Sequence, residues 1–87
     1  MKEVVLHKDF FEDLFYWMRT NQKMALKIME LIEAIRRDPF HGIGKPEPLR
    51  HLDKNVWSRR INHEHRIVYY VTGDKILFAQ ARHHYGK

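Results

Sequence analysis

Two hydrophobic rhythms meet at Asp38-Pro39, and the break between them limits the folds open to this chain. Before it, apolar residues recur at helical spacing; well after it, they fall into short runs rich in Val, Ile and Tyr. Between the two, three prolines and two glycines (Gly42, Gly44) fall within ten residues, and no apolar period survives over residues 39–55. A helical part joined to a strand part through a proline-braced loop is an α+β arrangement. With 87 residues the chain is expected to be a single domain over 1–87, its core thin.

Residues 2–7 read as a strand, and the consecutive Val4, Val5 and Leu6 predict burial on both faces. Asp9 followed by Glu12 has the form of a capping box, and Phe11, Leu14, Phe15 and Met18 give the predicted stripe of a first helix. Thr20 or Asn21 can cap a second helix with a stripe of Met24, Ile28, Leu31, Ile32 and Ile35. Arg36 and Arg37 suit the negative end of its dipole, and Asp38-Pro39 stops it. So tight a connection predicts an antiparallel helical hairpin. Strands follow over 56–62, 66–72 and 75–83, with Gly73-Asp74 turning the last hairpin. The predicted order is β-α-α-β-β-β, with the hairpin packed on a twisted, mainly antiparallel sheet.

Charge divides at the same boundary. Residues 1–38 hold seven Lys/Arg against seven Asp/Glu, whereas residues 39–87 hold nine against four and so carry the whole formal charge of +5. Six of the seven histidines lie in that cationic part, which predicts a polyanionic partner. Without cysteine, disulfides and thiolate metal sites are excluded. The apolar run at the start is too short for a signal peptide or a membrane span, so a cytoplasmic protein with no membrane partner is expected.

No phosphate-binding glycine loop is present, because Gly42-Ile43-Gly44-Lys45 lacks the spacing and the strand-to-helix setting. His63, His65, His83 and His84 match no closed ligand set, and no metal or other cofactor is expected. What remains is Glu47 between Pro46 and Pro48, arginines on strands, and His84-Tyr85. RNA cleavage asks little more than this. The 2'-hydroxyl is an internal nucleophile that needs a base, cations for the phosphorane charge and an acid for the leaving 5'-oxygen. Glu47, the arginines and His84 can supply those three functions.

The run Asp38-Pro39-Phe40-His41-Gly42-Ile43-Gly44-Lys45-Pro46-Glu47-Pro48-Leu49, then Trp57-Ser58-Arg59-Arg60-Ile61, Glu64-His65-Arg66-Ile67-Val68-Tyr69 and the ending His84-Tyr85, closely resembles the YoeB/Txe toxins of bacterial toxin-antitoxin systems. The resemblance implies a RelE-like fold and a ribosome-dependent mRNA endoribonuclease, a metal-independent enzyme that cuts in the decoding site and halts translation. It also implies a YefM/Phd-type antitoxin and a homodimer. On matching positions it makes Glu47 the general base, His84 the general acid, Arg66 the phosphate-steadying arginine and Tyr85 a further catalytic-site residue. Lys45, Arg50 and Arg60 fall on RNA-binding positions. Two departures stand out: Gly86-Lys87 follow the tyrosine at which many members end, and Arg50 stands where lysine is common. The rival expectation is a non-catalytic RNA- or ribosome-binding module, or a degenerate toxin that keeps only antitoxin binding.

Adjacent strand residues face opposite ways, so only one of Arg59 and Arg60 can serve the site. Arg60 is assigned to it, and Arg59 to solvent or the antitoxin. Trp17, Phe40, Trp57, Tyr69 and Tyr70 are expected in the core or a dimer interface, with Tyr16 or Trp17 left for a partner. Register supplies a further expectation. With a strict two-residue turn at Gly73-Asp74, Thr72 pairs with Lys75 and Arg66 shares a face with Ala81 and His83; a three-residue loop or a bulge instead puts it with Gln80, Arg82 and His84, and this second arrangement is expected.

Overall fold

The computed structural model describes residues 2–83. Its elements are β1 (Glu3–Leu6), α1 (Lys8–Thr20), α2 (Gln22–Arg37), β2 (Glu47–Pro48), β3 (Val56–Arg60), β4 (Arg66–Val71) and β5 (Lys75–Gln80). The strands form one five-stranded sheet in the order β1-β5-β4-β3-β2. β1 runs parallel to β5, and the other pairings are antiparallel. This is the expected α+β layout with one addition. The two-residue β2, hidden in the sequence between prolines, pairs Glu47 with Ser58 and Pro48 with Trp57. An edge strand tolerates proline because its outer N–H has no ladder partner to lose.

β1 lies at the other edge of the sheet, so Val4 and Val5 are only half-buried and Leu6 is exposed, contrary to the expected burial on both faces. Lys2 ties this edge down by donating from Nζ to the carbonyls of Thr72 (2.8 Å) and Gly73 (2.7 Å).

Both helices cover one face of the sheet. Phe10, Trp17, Ile28, Leu31 and Ile35 meet Ile61, Ile67, Tyr69, Ile76 and Phe78 in a continuous core, with the Phe10 and Phe78 rings 5.3 Å apart. In α2 the predicted stripe holds: Ile28, Leu31 and Ile35 are fully buried, and Asn21 caps the helix through Oδ1, which accepts from Met24 N (3.3 Å). Asp38 forms the C-cap, with Arg36 and Arg37 in the last turn.

In α1 the buried face is Phe10, Asp13 and Trp17, and of the predicted stripe Leu14 alone is half-buried. Phe11 (60% exposed), Phe15 (51%) and Met18 (51%) face outward. The physical reason is Asp13, whose Oδ2 accepts a hydrogen bond from Ala81 N (3.0 Å) beyond the end of β5. That contact turns a polar residue inward and rotates the helix away from its other apolar stripe. The N-cap is His7, whose Nδ1 accepts from Asp9 N (3.0 Å), and not the anticipated Asp9 and Glu12 box.

Candidate active site

The sheet face away from the helices is set by ladder register. Residues directly opposite one another project to the same side. Glu47 stands opposite Ser58, Ser58 opposite Val68, and Arg60 opposite Arg66. These residues therefore share the open face. There, Arg66 Nη1 donates to Glu47 Oε1 (2.9 Å) and to Ser58 Oγ (3.2 Å). Both charged partners are open to solvent, the carboxylate side chain at 59% and the guanidinium side chain at 41% exposure.

The far side of this site depends on one extra residue. The β4–β5 turn is a strict two-residue turn, with Thr72 N donating to Lys75 O (2.9 Å), and the ladder runs regularly from Val71↔Ile76 to Tyr69↔Phe78. At the next step Val68 pairs with Gln80, so Ala79 is bulged out. A bulge shifts the downstream residues by one and exchanges their faces. Gln80 and Arg82 consequently join Arg66, as the bulge alternative predicts. They line a cleft of about 100 Å³ together with Glu64, Val68 and His83. A larger depression of about 250 Å³ lies on the helices between Met18, Gln22, Ala25 and Leu26, where no titratable side chain is present to do chemistry.

Glu47 is presented by a loop that is pinned from beneath. Arg59, assigned by sequence reasoning to solvent or a protein partner, is fully buried. Its Nη2 donates to Asp38 O and to His41 O (2.9 Å), Nη1 to Ile43 O (3.1 Å), and Nε to Tyr69 Oη (3.2 Å). Tyr69 in turn donates to Pro39 O (2.7 Å). Residues 38–43 belong to no ladder, so their carbonyls require these donors. Burial raises the Tyr69 phenol above its ordinary pKa even though Arg59 pulls the other way, and the hydroxyl stays protonated as a donor. Gly42 (φ 127°) and Gly44 (φ 84°) lie in the left-handed region. A Cβ on Gly42 would stand 3.0 Å from Arg59 Nη1, and one on Gly44 3.0 Å from Leu31 Cδ2. The glycines let the loop close over Arg59, and Arg60 N then donates to Gly44 O (2.7 Å).

Of the predicted site residues, the fold brings Glu47, Arg60 and Arg66 together. Lys45 is exposed on the same loop with φ 51°. Arg50 lies at the opposite end of β3 from Arg60, since Leu49 N bonds Val56 O (2.8 Å), and it is not drawn to the Glu47–Arg66 pair. His84 and Tyr85 lie outside the described residues. Ser58, the second acceptor for Arg66, was not singled out in the sequence, although its strand parity with Arg60 was the available signal. Trp17 is buried and Tyr16 half-buried, and Tyr69 is core; Phe40 and Tyr70 are exposed, with Phe40 packed 5.1 Å from the half-buried Trp57.

A solvent-open carboxylate bound to an arginine, with further arginines alongside, can take a proton and hold a phosphate. Comparison with known proteins gives this arrangement a family. Residues 6–85 match the model of the YoeB-like toxin of bacterial type II toxin-antitoxin systems. The chain belongs to that family. Among YoeB-like proteins, Toxin YoeB of Escherichia coli strain K12 is 47% identical over 83 residues, covering 95% of this chain and 99% of the relative. The YoeB dimer of Staphylococcus aureus superposes with a TM-score of 0.86 at 41% identity, covering 97% of this chain and 98% of the other. The toxin in the heterotetrameric YoeB-YefM complex of the same organism gives 0.86 and 41%, covering 98% and 99%. The YoeB-like, RelE-like fold expected from the motifs is thus the fold observed.

Proposed function

We propose that this toxin is an endoribonuclease that cuts mRNA in the decoding site of the ribosome and thereby stops translation in the cytoplasm. The observation that carries the reading is the Arg66–Glu47 pair, 2.9 Å apart and open on a cationic sheet face. A phosphate entering the cleft competes for the Arg66 guanidinium, for which phosphate is a good bidentate partner. Glu47, released from the ion pair, takes the proton from the 2'-hydroxyl. The 2'-oxygen attacks the adjacent phosphorus, and the 5'-oxygen leaves with its electron pair and a proton from His84. The products are a 2',3'-cyclic phosphate and a 5'-hydroxyl, formed without metal. Arg66 and Arg60 offset the phosphorane charge, Tyr85 completes the catalytic set, and Lys45 and Arg50 hold the RNA backbone.

The need for a ribosome has a physical basis. A cleft of about 100 Å³ is well below the roughly 300–1,000 Å³ of pockets that orient a ligand by enclosing it. Alignment of attacking and leaving oxygens must then come from a surface that already holds the message, and in-line geometry is worth several orders of magnitude in rate. The protein partners in this reading are a second copy of the chain and a YefM/Phd-type antitoxin, supported by the dimer and the YefM complex of the S. aureus relative.

Primer extension on mRNA programmed into ribosomes, in the presence of chelator, tests the reading. Wild-type protein is expected to cut within the decoding codon, Glu47→Ala and His84→Ala to leave the message intact, and antitoxin to abolish cutting. Intact message with wild-type protein bound to ribosomes would establish the non-catalytic rival.

A further inference from the structure

β5 leaves the ladder at Gln80, yet the next three residues are held by side chains from two other parts of the fold. Trp17 Nε1 donates to Ala81 O (2.9 Å), Ala81 N donates to Asp13 Oδ2 (3.0 Å), and His83 N donates to His65 Nδ1 (2.9 Å). Arg82 lays its guanidinium over the Tyr16 ring at 3.7 Å. The indole and imidazole that grip the segment brace one another edge to face at 4.8 Å. His65 is itself fixed from behind, because Asn62 Oδ1 accepts from His65 N (2.7 Å) and Ile61 N donates to His65 O (2.9 Å). Placing a carboxylate in the core of a thin domain is costly unless its hydrogen bonds are required. Here one of them holds a main-chain N–H that no strand partner reaches.

We propose that Asp13, Trp17 and His65 are positioning residues of the nuclease: a three-point clamp on the main chain of residues 81–83 that holds Arg82 and His83 against the Arg66 cleft. The inference rests on the endoribonuclease reading above. None of the three is itself among the residues that line the cleft; each acts through the backbone it holds. The clamp also has a definite protonation state. To accept from His83 N, His65 Nδ1 must carry no proton, so the ring is neutral with its proton on Nε2, 3.6 Å from Glu64 Oε1. The charged and titratable groups around it are Glu64 from its own loop, Asp13 from α1, and Arg82 and His83 from the segment it holds. A second proton would turn the acceptor into a donor facing another donor.

The test pairs hydrogen exchange of the His83 amide in the free protein with single-turnover cleavage on programmed ribosomes, for His65→Leu, His65→Gln and Trp17→Phe. Loss of one such hydrogen bond is expected to speed His83 exchange in His65→Leu by about tenfold and to lower kcat by a similar factor with KM little changed. His65→Gln, whose amide oxygen can accept the same N–H without titrating, should restore most of the rate. Trp17→Phe keeps the aromatic bulk and removes the donor to Ala81 O alone, so it gives a smaller kcat loss in a folded protein. Wild-type exchange in His65→Leu, or faster exchange with wild-type kcat in both His65→Leu and Trp17→Phe, overturns the clamp's positioning role. A wild-type protein that leaves the message uncut fails the nuclease reading instead, and the His83 exchange rate still decides whether the clamp exists.

Discussion

Arg59 and Glu47 are joined by a loop and have opposite fates, one sealed beneath the sheet's rim and the other in solvent. Replacing Arg59 with Leu leaves the carbonyls of Asp38, His41 and Ile43 and the Tyr69 hydroxyl to find new partners. With each orphaned group costing about 1–3 kcal/mol before relaxation, a net loss of roughly 3–5 kcal/mol is expected in urea unfolding. Arg59→Lys should recover part of that loss, since an ammonium cannot reach all four acceptors. Glu47→Gln, by contrast, is expected to leave stability unchanged and to lower single-turnover cleavage by about 10²–10⁴ while ribosome binding persists. His65 gives a pH signature. Burial, the largest cause, lowers its pKa below the usual histidine value, with Arg82 and His83 acting in the same direction and Glu64 against it. Because the folded state resists the proton, the unfolded chain binds it first as pH falls. The stability tied to neutral His65 is therefore full above about pH 6.5 and is lost as pH drops from there through the lowered folded value. Thermal unfolding midpoints should fall over that interval in the wild type and less in His65→Gln.

At the scale of elements, α1 carries two apolar stripes, and sequence periodicity alone cannot choose between them. The Phe11, Phe15 and Met18 stripe has the cleaner period, but the fold buries the side bearing Phe10 and Trp17 because Asp13 and Trp17 both bond the main chain of Ala81. Phe10→Ala should then cost about 3–5 kcal/mol in urea unfolding, and Phe11→Ser should stay within about 0.5 kcal/mol. The reverse order would contradict the observed helix face. α2, β3, β4 and the last turn were legible because their signals are local: a cap, an apolar run, a two-residue turn. Arg59 was misread for the same reason as Asp13, since a buried polar residue is explained by distant acceptors that no window contains. β2 escaped notice because two prolines mask a strand whose only ladder is with β3. A bulge entered only as an alternative, from requiring Arg66 to share a face with His84, a constraint from chemistry applied to geometry; its position at Ala79 had no local signal.

Over the whole molecule the charge division in the sequence becomes a division between layers. Residues 1–38, which include both helices, balance, while the open sheet face gathers Arg60, Arg66 and Arg82 around the Arg66–Glu47 pair. Such a face should bind RNA with strong salt dependence, each phosphate neutralised on a single strand contributing about −0.7 to the slope of log K against log salt. Arg60→Ala should weaken binding to programmed ribosomes and flatten that slope by about one contact. If Glu47 and Arg66 serve an attack by the substrate's own 2'-oxygen, single-turnover cleavage of a message carrying one 2'-deoxynucleotide on the 5' side of the scissile phosphate reads it directly. This message is expected to stay whole on the ribosome while its all-ribose counterpart is cut to a 2',3'-cyclic phosphate. Cleavage of the deoxy message at the same bond would contradict it, because the nucleophile would then have to come from elsewhere.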